Sequence, residues 1–371
     1  MTRTNIVHLV THDLSPAKAE TIRALCTYHA TEFRHRVIQL GPGPLPWTDG
    51  PPVSRVRLLP DWVPFQRRHV QRAVGGDLAG RLDGRCVMHA WTPNAARRSA
   101  MVIGEGQRMV IEVFSTRAVP GCVVWPRSGR MTDVPRYVCP TTAVRRALLR
   151  AGVPEECCIV IRPAAEPIQV NLDRRAQLRA DVGLEPDEIA VLPLPPVTRE
   201  TGAIWVAWAT LLAANVRPDV RLIVPDGDGE AERICRLVRA CRHEHVARLA
   251  RSGLKIAELI SISDVIAFLP AEDAPVDTLY QAALSGRPLV VTALPYFAEL
   301  VEDSPHTMSC QPRCPADAAR AILAAIESRP SSAGHYDRRP DRQPGDWSAQ
   351  KRVVSSYLSL YKSLTNVQAV L

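Results

Sequence analysis

The sequence predicts an α/β protein made of two Rossmann-like, doubly wound parallel sheets. Three observations predict it. Short apolar runs alternate with helical patterns along nearly the whole chain. That alternation restarts after residue 173, and 371 residues suit two domains of about 150–200 residues better than one core.

The first strand is NIVHLV, residues 5–10. Ser15 and Pro16 supply an N-cap and a first-turn proline for a helix from Ala17 to about Phe33. The strand HRVIQLG ends in the turn-rich GPGPLPWTDGPP, and further strands are expected at RVRLL, CVMHAW, RMVIEVF and RYVCPT. The helix AVRRALLRAG and the strand CIVIRP complete the first set. In the second, the helix RRAQLRADVG leads to the strand EIAVLPLP, a Trp-rich helix at 201–216, the strand VRLIVPD and a helix from about Gly229 to Cys241. The strand DVIAFLP, a helix within AEDAPVDTLYQAALSG, the strand PLVV and an amphipathic helix at 315–328 follow. A last helix starts at Trp347 and carries Val353, Val354, Tyr357, Leu360 and Tyr361 on one face. The expected organisation is a first domain at 1–165, a linker at 166–173, a second domain at 174–330, an exposed polar loop at 331–346, and a C-terminal helix at 347–371 packing back on the first domain. A cleft is expected between the two domains.

The helix at 201–216 falls short of the ~20 residues of a membrane span. Its Ile204, Trp205, Trp208, Leu211 and Leu212 predict a core helix buried on most sides. Thr2 to Val10 offers one short apolar strand and no cleavage pattern, so no secretion signal is expected. Ten irregularly spaced cysteines then read as reduced thiols of a cytoplasmic protein. His306, Cys310 and Cys314 lack the second ligand pair of a zinc site, and no metal is expected. Charge is uneven: residues 1–165 hold 23 Arg/Lys against 12 Asp/Glu, and the remainder 23 against 26. A basic first half fits a phosphate-bearing partner or an anionic membrane face. Aromatic residues are only 5% and do not alternate with the arginines, which removes the stacking platform of a single-strand nucleic-acid binder.

Four stretches, in order, resemble those of the GT-B glycosyltransferases, most closely glycosyltransferase family 4. AVRRALLRAGVPEECCIVIRPAAEP resembles the family's boundary between domains, and PDVRLIVPDGDGE its strand and turn ending in Gly-Asp-Gly. LISISDVIAFLPAEDAPVDTLYQAALSGRPLVVTALPYFAELVED resembles the stretch with two glutamates eight residues apart, and DWSAQKRVVSSYLSLYKSL the closing helix. The resemblance covers nearly the whole chain. It implies retaining, metal-independent transfer of a sugar from a nucleotide-sugar, which is a co-substrate; no cofactor is implied. DGDG at 226–229 reads as a strand–helix turn, and it lacks the full dinucleotide fingerprint.

Carried over residue by residue, Asp273 matches the family's first glutamate and Gln281 its second, the ribose-holding one. The cations for the donor diphosphate belong in PPVTRETGAI, where Thr201 stands at the lysine position beside Gly202 and Arg199 is the loop's cation. Pro295 and Tyr296 replace the Gly-Gly loop whose amides face the phosphates, and Glu299 matches the glutamate after it. In the first half, His12 and His89 follow strands, at the edge where open α/β sheets bind ligands. Phe114 stands at the family's histidine. Plainer roles remain beside these: a helix-start acid for Asp273, a cap for Glu299, a solvated loop arginine for Arg199, and hydrogen-bonded structural rings for the histidines. The partners expected are a nucleotide-sugar donor, an anionic or lipid-phosphate acceptor, and peripheral contact with the inner membrane face. The other reading is a catalytically inactive relative that binds a partner through its cleft or its arginine-rich face.

Overall fold

The computed structural model describes residues 4–28, 32–47, 51–56, 86–99, 107–123, 134–163, 172–226, 229–250, 253–272, 274, 276–301, 304, 306–328 and 348–366. The chain divides into two compact units, Met1–Ala164 with Trp347–Leu371, and Ala165–Asp346. The predicted loop at 331–346 and residues 166–171 of the linker lie outside the described residues, and Leu172 already opens a helix that runs to Asp181.

The first unit holds β1 (Asn5–Val10), β2 (Arg34–Leu40), β3 (Val53–Val56), β4 (Cys86–Ala90), β5 (Arg108–Glu112), β6 (Arg136–Cys139) and β7 (Cys158–Val160). They form one sheet in the order β3-β2-β1-β4-β5-β6-β7, every pair parallel. The second unit holds β8 (Ile189–Pro193), β9 (Val220–Val224), β10 (Ala247–Leu249), β11 (Val265–Phe268), β12 (Leu289–Thr292) and β13 (Thr307–Cys310), ordered β10-β9-β8-β11-β12-β13 and again all parallel. Central strands are buried from end to end, as β1, β4, β8 and β11 are, because helices cover both faces of such sheets. In each sheet the order reverses beside the first strand of its unit, between β1 and β4 and between β8 and β11. These reversals open crevices outside the carboxyl ends of the strands.

Helix Pro16–Tyr28 is shorter than predicted, and Phe33 lies beyond it as a buried residue leading into β2. Helix Ser348–Asn366 belongs to the first unit, where it packs on helix Pro16–Tyr28 and on β4. Val354, Tyr357, Leu360, Tyr361 and Leu364 are its buried face.

Helix Ala203–Val216 departs from its predicted burial. Its small side chains face inward, with Ala203, Val206, Ala207, Ala209, Ala213 and Ala214 all buried. Trp208, Leu212 and Val216 are 45%, 36% and 68% exposed. The alanine face lets the helix lie close to the sheet and to helix Pro315–Glu327. Of the residues predicted to be core, Leu211 is buried, Ile204 and Trp205 are half-buried against the core, and Trp208 and Leu212 stand outside, Trp208 stacked on Trp205 with centroids 6.5 Å apart.

An ionic staple closes the amino edge of the second sheet. Asp264 accepts from Arg179 at 3.0 Å, Arg175 at 2.9 Å and the Ala190 amide at 2.9 Å, so this buried charge is fully satisfied.

Candidate active site

The segments that follow β8, β11 and β12, neighbours in the second sheet, carry Arg199, Thr201, Gly202, Gln281 and Glu299. The loop after β8 runs to Gly202, whose φ is +73°. A Cβ there would lie 1.9 Å from the Leu269 carbonyl oxygen, so only glycine lets this loop meet the end of β11. Gly202 is also the N-cap of helix Ala203–Val216, and having no side chain it caps none of that helix's amides. Its carbonyl accepts from Trp205 and Val206 at 2.9 and 3.2 Å, which leaves the first-turn amides of a 14-residue helix at the strand-order reversal.

Thr201 is turned into its own loop. It is 3% exposed, donates to the Pro196 carbonyl at 2.8 Å and accepts from the Thr198 amide at 3.1 Å, so it fixes the loop and offers no charge. Arg199 is exposed. Gln281 is half-buried on helix Asp277–Leu284, and Glu299 half-buried on helix Pro295–Val301. Asp273 lies outside the described residues. Its neighbour Glu272 pairs with Arg313 at 3.1 Å. At the start of helix Pro295–Val301 the amides of Phe297 and Ala298 both bond the Leu294 carbonyl, at 3.0 and 3.1 Å, and are spent there. Tyr296 is 2% exposed and tilts against Phe297, which meets Phe268 of β11 edge-on.

In the first unit His12 is exposed on the loop after β1. His89 is a correction. Rather than standing at the sheet edge, it is fully buried within β4, in register with His8 of β1. His89 Nε2–H donates to Glu112 at 3.0 Å, and its Nδ1 accepts from the Tyr361 hydroxyl at 2.6 Å. Tyr357 donates to the same Glu112 oxygen at 2.7 Å. Burial lowers the His89 pKa against the opposing pull of Glu112, and burial raises that of Tyr361. Both ring nitrogens are committed to the packing of the last helix, so His89 has none left for an acceptor.

A second chain of bonds excludes a metal at His8, Cys26 and His35, whose ligand atoms lie within 4.8 Å of one another. Trp91 Nε1–H donates to His8 Nδ1 at 3.0 Å, and an indole can only donate. The His8 proton is therefore on Nε2, donated to His35 Nδ1 at 2.9 Å, and no lone pair remains on His8 for an ion. Burial pushes the Cys26 thiol up to about 12.

No family model matches the chain, and no curated protein matches it in sequence. Solved structures do match in shape. HepE of Anabaena in complex with UDP and glucose aligns over 98% of this chain and 100% of its own, with a TM-score of 0.70 at 16% identity. A glycosyltransferase of Rickettsia africae aligns over 99% and 100%, at 0.72 and 12%. Sucrose-phosphate synthase of Thermosynechococcus elongatus aligns over 98% and 99%, at 0.69 and 15%.

The fold is GT-B. Within the GT-B chain, Arg199, Thr201, Gly202, Gln281 and Glu299 all follow three adjacent strands of one unit, whereas His12 and His89 belong to the other. Sequence reasoning missed Glu112, Tyr357 and Tyr361 as partners of His89, because 272 residues separate His89 from Tyr361. It also missed the pairing of Arg313 with Glu272, and a buried Thr292 hydroxyl at the carboxyl end of β12 that finds no hydrogen bond among the described residues.

Proposed function

We propose that the chain is a glycosyltransferase of the family 4 type. A nucleotide-sugar donor is held by the second unit and a sugar acceptor by the first, with retention of anomeric configuration and without a metal. The bond between the sugar and the donor diphosphate breaks with its electron pair leaving on the diphosphate, the acceptor oxygen forms the new bond to the same carbon, and the acceptor hydroxyl's proton passes to the departing diphosphate. The diphosphate leaves with growing negative charge, which catalysis must stabilise. One observation carries the reading: the uncapped terminus of helix Ala203–Val216 lies at the strand-order reversal, closed by a glycine that admits no side chain, with Arg199 on the same loop. A helix terminus contributes about 0.3–2 kcal/mol to a bound anion, and an arginine adds charge-assisted bonds. Gln281 and Glu299 supply acceptors for ribose hydroxyls, with Asp273 on the reacting sugar. HepE has been crystallised with UDP and with UDP-glucose, which makes uridine nucleotides the first ligands to try. Among the described residues no helix is long and apolar enough to cross a membrane. A cytoplasmic enzyme that meets its acceptor at the inner membrane face agrees with the basic first half.

Calorimetric titration with UDP-, GDP- and ADP-sugars tests this, followed by donor hydrolysis. One of them should bind and turn over, and Arg199→Gln should weaken binding about tenfold. Uptake of none sinks the proposal. A second reading, a catalytically inactive relative, is favoured by Thr201 at the lysine position and by Pro295, which has no N–H to offer at the start of its helix. If each lost donor is worth roughly 3 kcal/mol, two remove about 10⁴ in rate. Tight nucleotide binding with no turnover would select that reading.

A further inference from the structure

Four segments follow the carboxyl ends of β1, β2, β4 and β5, and their charges are one-sided; Lys18 stands on helix Pro16–Tyr28, Arg97 and Arg98 on helix Pro93–Ser99, and Arg117 on a short turn after β5. Residues 11–18, 41–47, 91–99 and 113–118 hold Lys18, Arg97, Arg98 and Arg117 against one carboxylate, Asp13. They surround the reversal of strand order between β1 and β4, where an open α/β sheet has its crevice.

The segments are tied to one another. The Thr11 and Thr92 hydroxyls bond at 2.5 Å, Asn94 donates to Asp13 at 3.1 Å, and Arg97 donates to Asn94 at 2.6 Å. Asp13 also accepts from Thr11, so the lone carboxylate is engaged in orienting Asn94, and through it Arg97. From the β2 side, Gly43 at φ +109° packs against His12 so closely that a Cβ would come within 2.7 Å of the histidine's own. Gly41 lies under Arg98, which donates to the Leu40 carbonyl at 3.3 Å. Lys18 Nζ lies 2.5 Å from the centre of the Phe114 ring, the residue standing at the family's histidine position. Lys18 and Arg97 both draw the buried Cys122 thiol downward against its burial. Arg117 is exposed and makes no ion pair among the described residues.

We propose that this rim binds a phosphate-bearing ligand through Lys18, Arg97 and Arg117, with His12 beside them. Naming that ligand as the sugar acceptor, or the anionic part of it, rests on the glycosyltransferase reading; the anion site itself does not. A phosphate group suits it because its several oxygens accept from cations on separate segments at once, and the planar fork of an arginine matches two of them. The phosphate chemistry is the same in a soluble phosphomonoester and in a lipid headgroup.

The test uses the full chain, with inorganic pyrophosphate titrated calorimetrically in the presence of saturating UDP, so that a nucleotide site is already filled. One pyrophosphate per chain should bind, more weakly as ionic strength rises. Lys18→Gln, Arg97→Gln and Arg117→Gln should each weaken it about tenfold. Arg117 is exposed, so its variant folds even if the Arg97 variant does not. Absence of pyrophosphate binding, or affinity unchanged in Arg117→Gln, overturns the proposal. Sedimentation with phosphatidylglycerol vesicles against phosphatidylcholine vesicles, beside titration with glucose 6-phosphate, separates a lipid from a soluble source. UDP bound without pyrophosphate removes this site and spares the glycosyltransferase reading. Pyrophosphate bound without any nucleotide does the reverse.

Discussion

Replacing Tyr357 by phenylalanine removes one oxygen from the centre of the first unit and little else. The ring keeps its contacts with Trp91 and His89, at centroid distances of 5.6 and 5.5 Å. What is lost is a 2.7 Å bond to a buried Glu112, and a hydrogen bond to a charged group contributes about 1.5–3 kcal/mol. The loss belongs to helix Ser348–Asn366, which the hydroxyl ties to the end of β5, so it should appear as easier opening of that helix. Hydrogen exchange followed by mass spectrometry should show its amides exchanging about 10- to 150-fold faster in Tyr357→Phe. In a Glu112→Gln background the acceptor is neutral and the same substitution should cost only about 1 kcal/mol, roughly a fivefold change. Unchanged exchange in the single variant would refute the reasoning, since the bond would then add nothing to seating the helix.

Three further outcomes are expected. His8 and His89 fold as neutral rings with pKa values below the usual 6.5, so their contribution to stability is whole above pH 6.5. It is lost as pH falls through 6.5 towards the folded values, at up to about 1.4 kcal/mol per pH unit for each ring. Urea unfolding across that window should show a falling midpoint for the first unit, and a flat one would contradict the neutral assignment. Gly202→Ala sets a Cβ against the Leu269 backbone at positive φ and should cost the second unit more than 2 kcal/mol, together with its nucleotide binding. Gly183→Ala has the same φ of +73° but meets only Arg248 Cδ at 3.8 Å; it should cost about 1 kcal/mol, and equal losses in the two would remove the role given to the Gly202 contact. Burial pushes the thiols of Cys122 and Cys310 up to about 12 and that of Cys86 to about 11, while Cys241 is exposed. Iodoacetamide on the native protein should therefore label Cys241 first by peptide mapping; early labelling of Cys310 would contradict its burial.

Patterns set by neighbours in the chain were legible from the residues alone. The apolar runs of β1, β4, β8 and β11 announced buried parallel strands, and the 3.6-residue spacing of Val354, Tyr357 and Tyr361 announced the buried face of the last helix. The strands β10 and β13 were not legible. Both are edges, and short sequences such as ARL and TMSC need not be apolar when one side of the strand lacks a neighbour. On helix Ala203–Val216 only Trp208 and Leu212 were misplaced, because apolarity ranks them as core residues, whereas close approach to a sheet selects alanine. A resemblance in motif order singled out Arg199, Gln281 and Glu299, which lie on the segments after β8, β11 and β12.

Tertiary structure alone decided which polar groups were already committed. Thr201 turns into its loop, and His89 faces Glu112 and Tyr361 rather than an acceptor, through contacts that no local spacing encodes. The need for glycine at 202 comes from a carbonyl 67 residues away in the chain, brought near by the parallel pairing of β8 with β11. Hydrogen bonds are satisfied in space, and a buried ring takes whichever partner the fold brings to it.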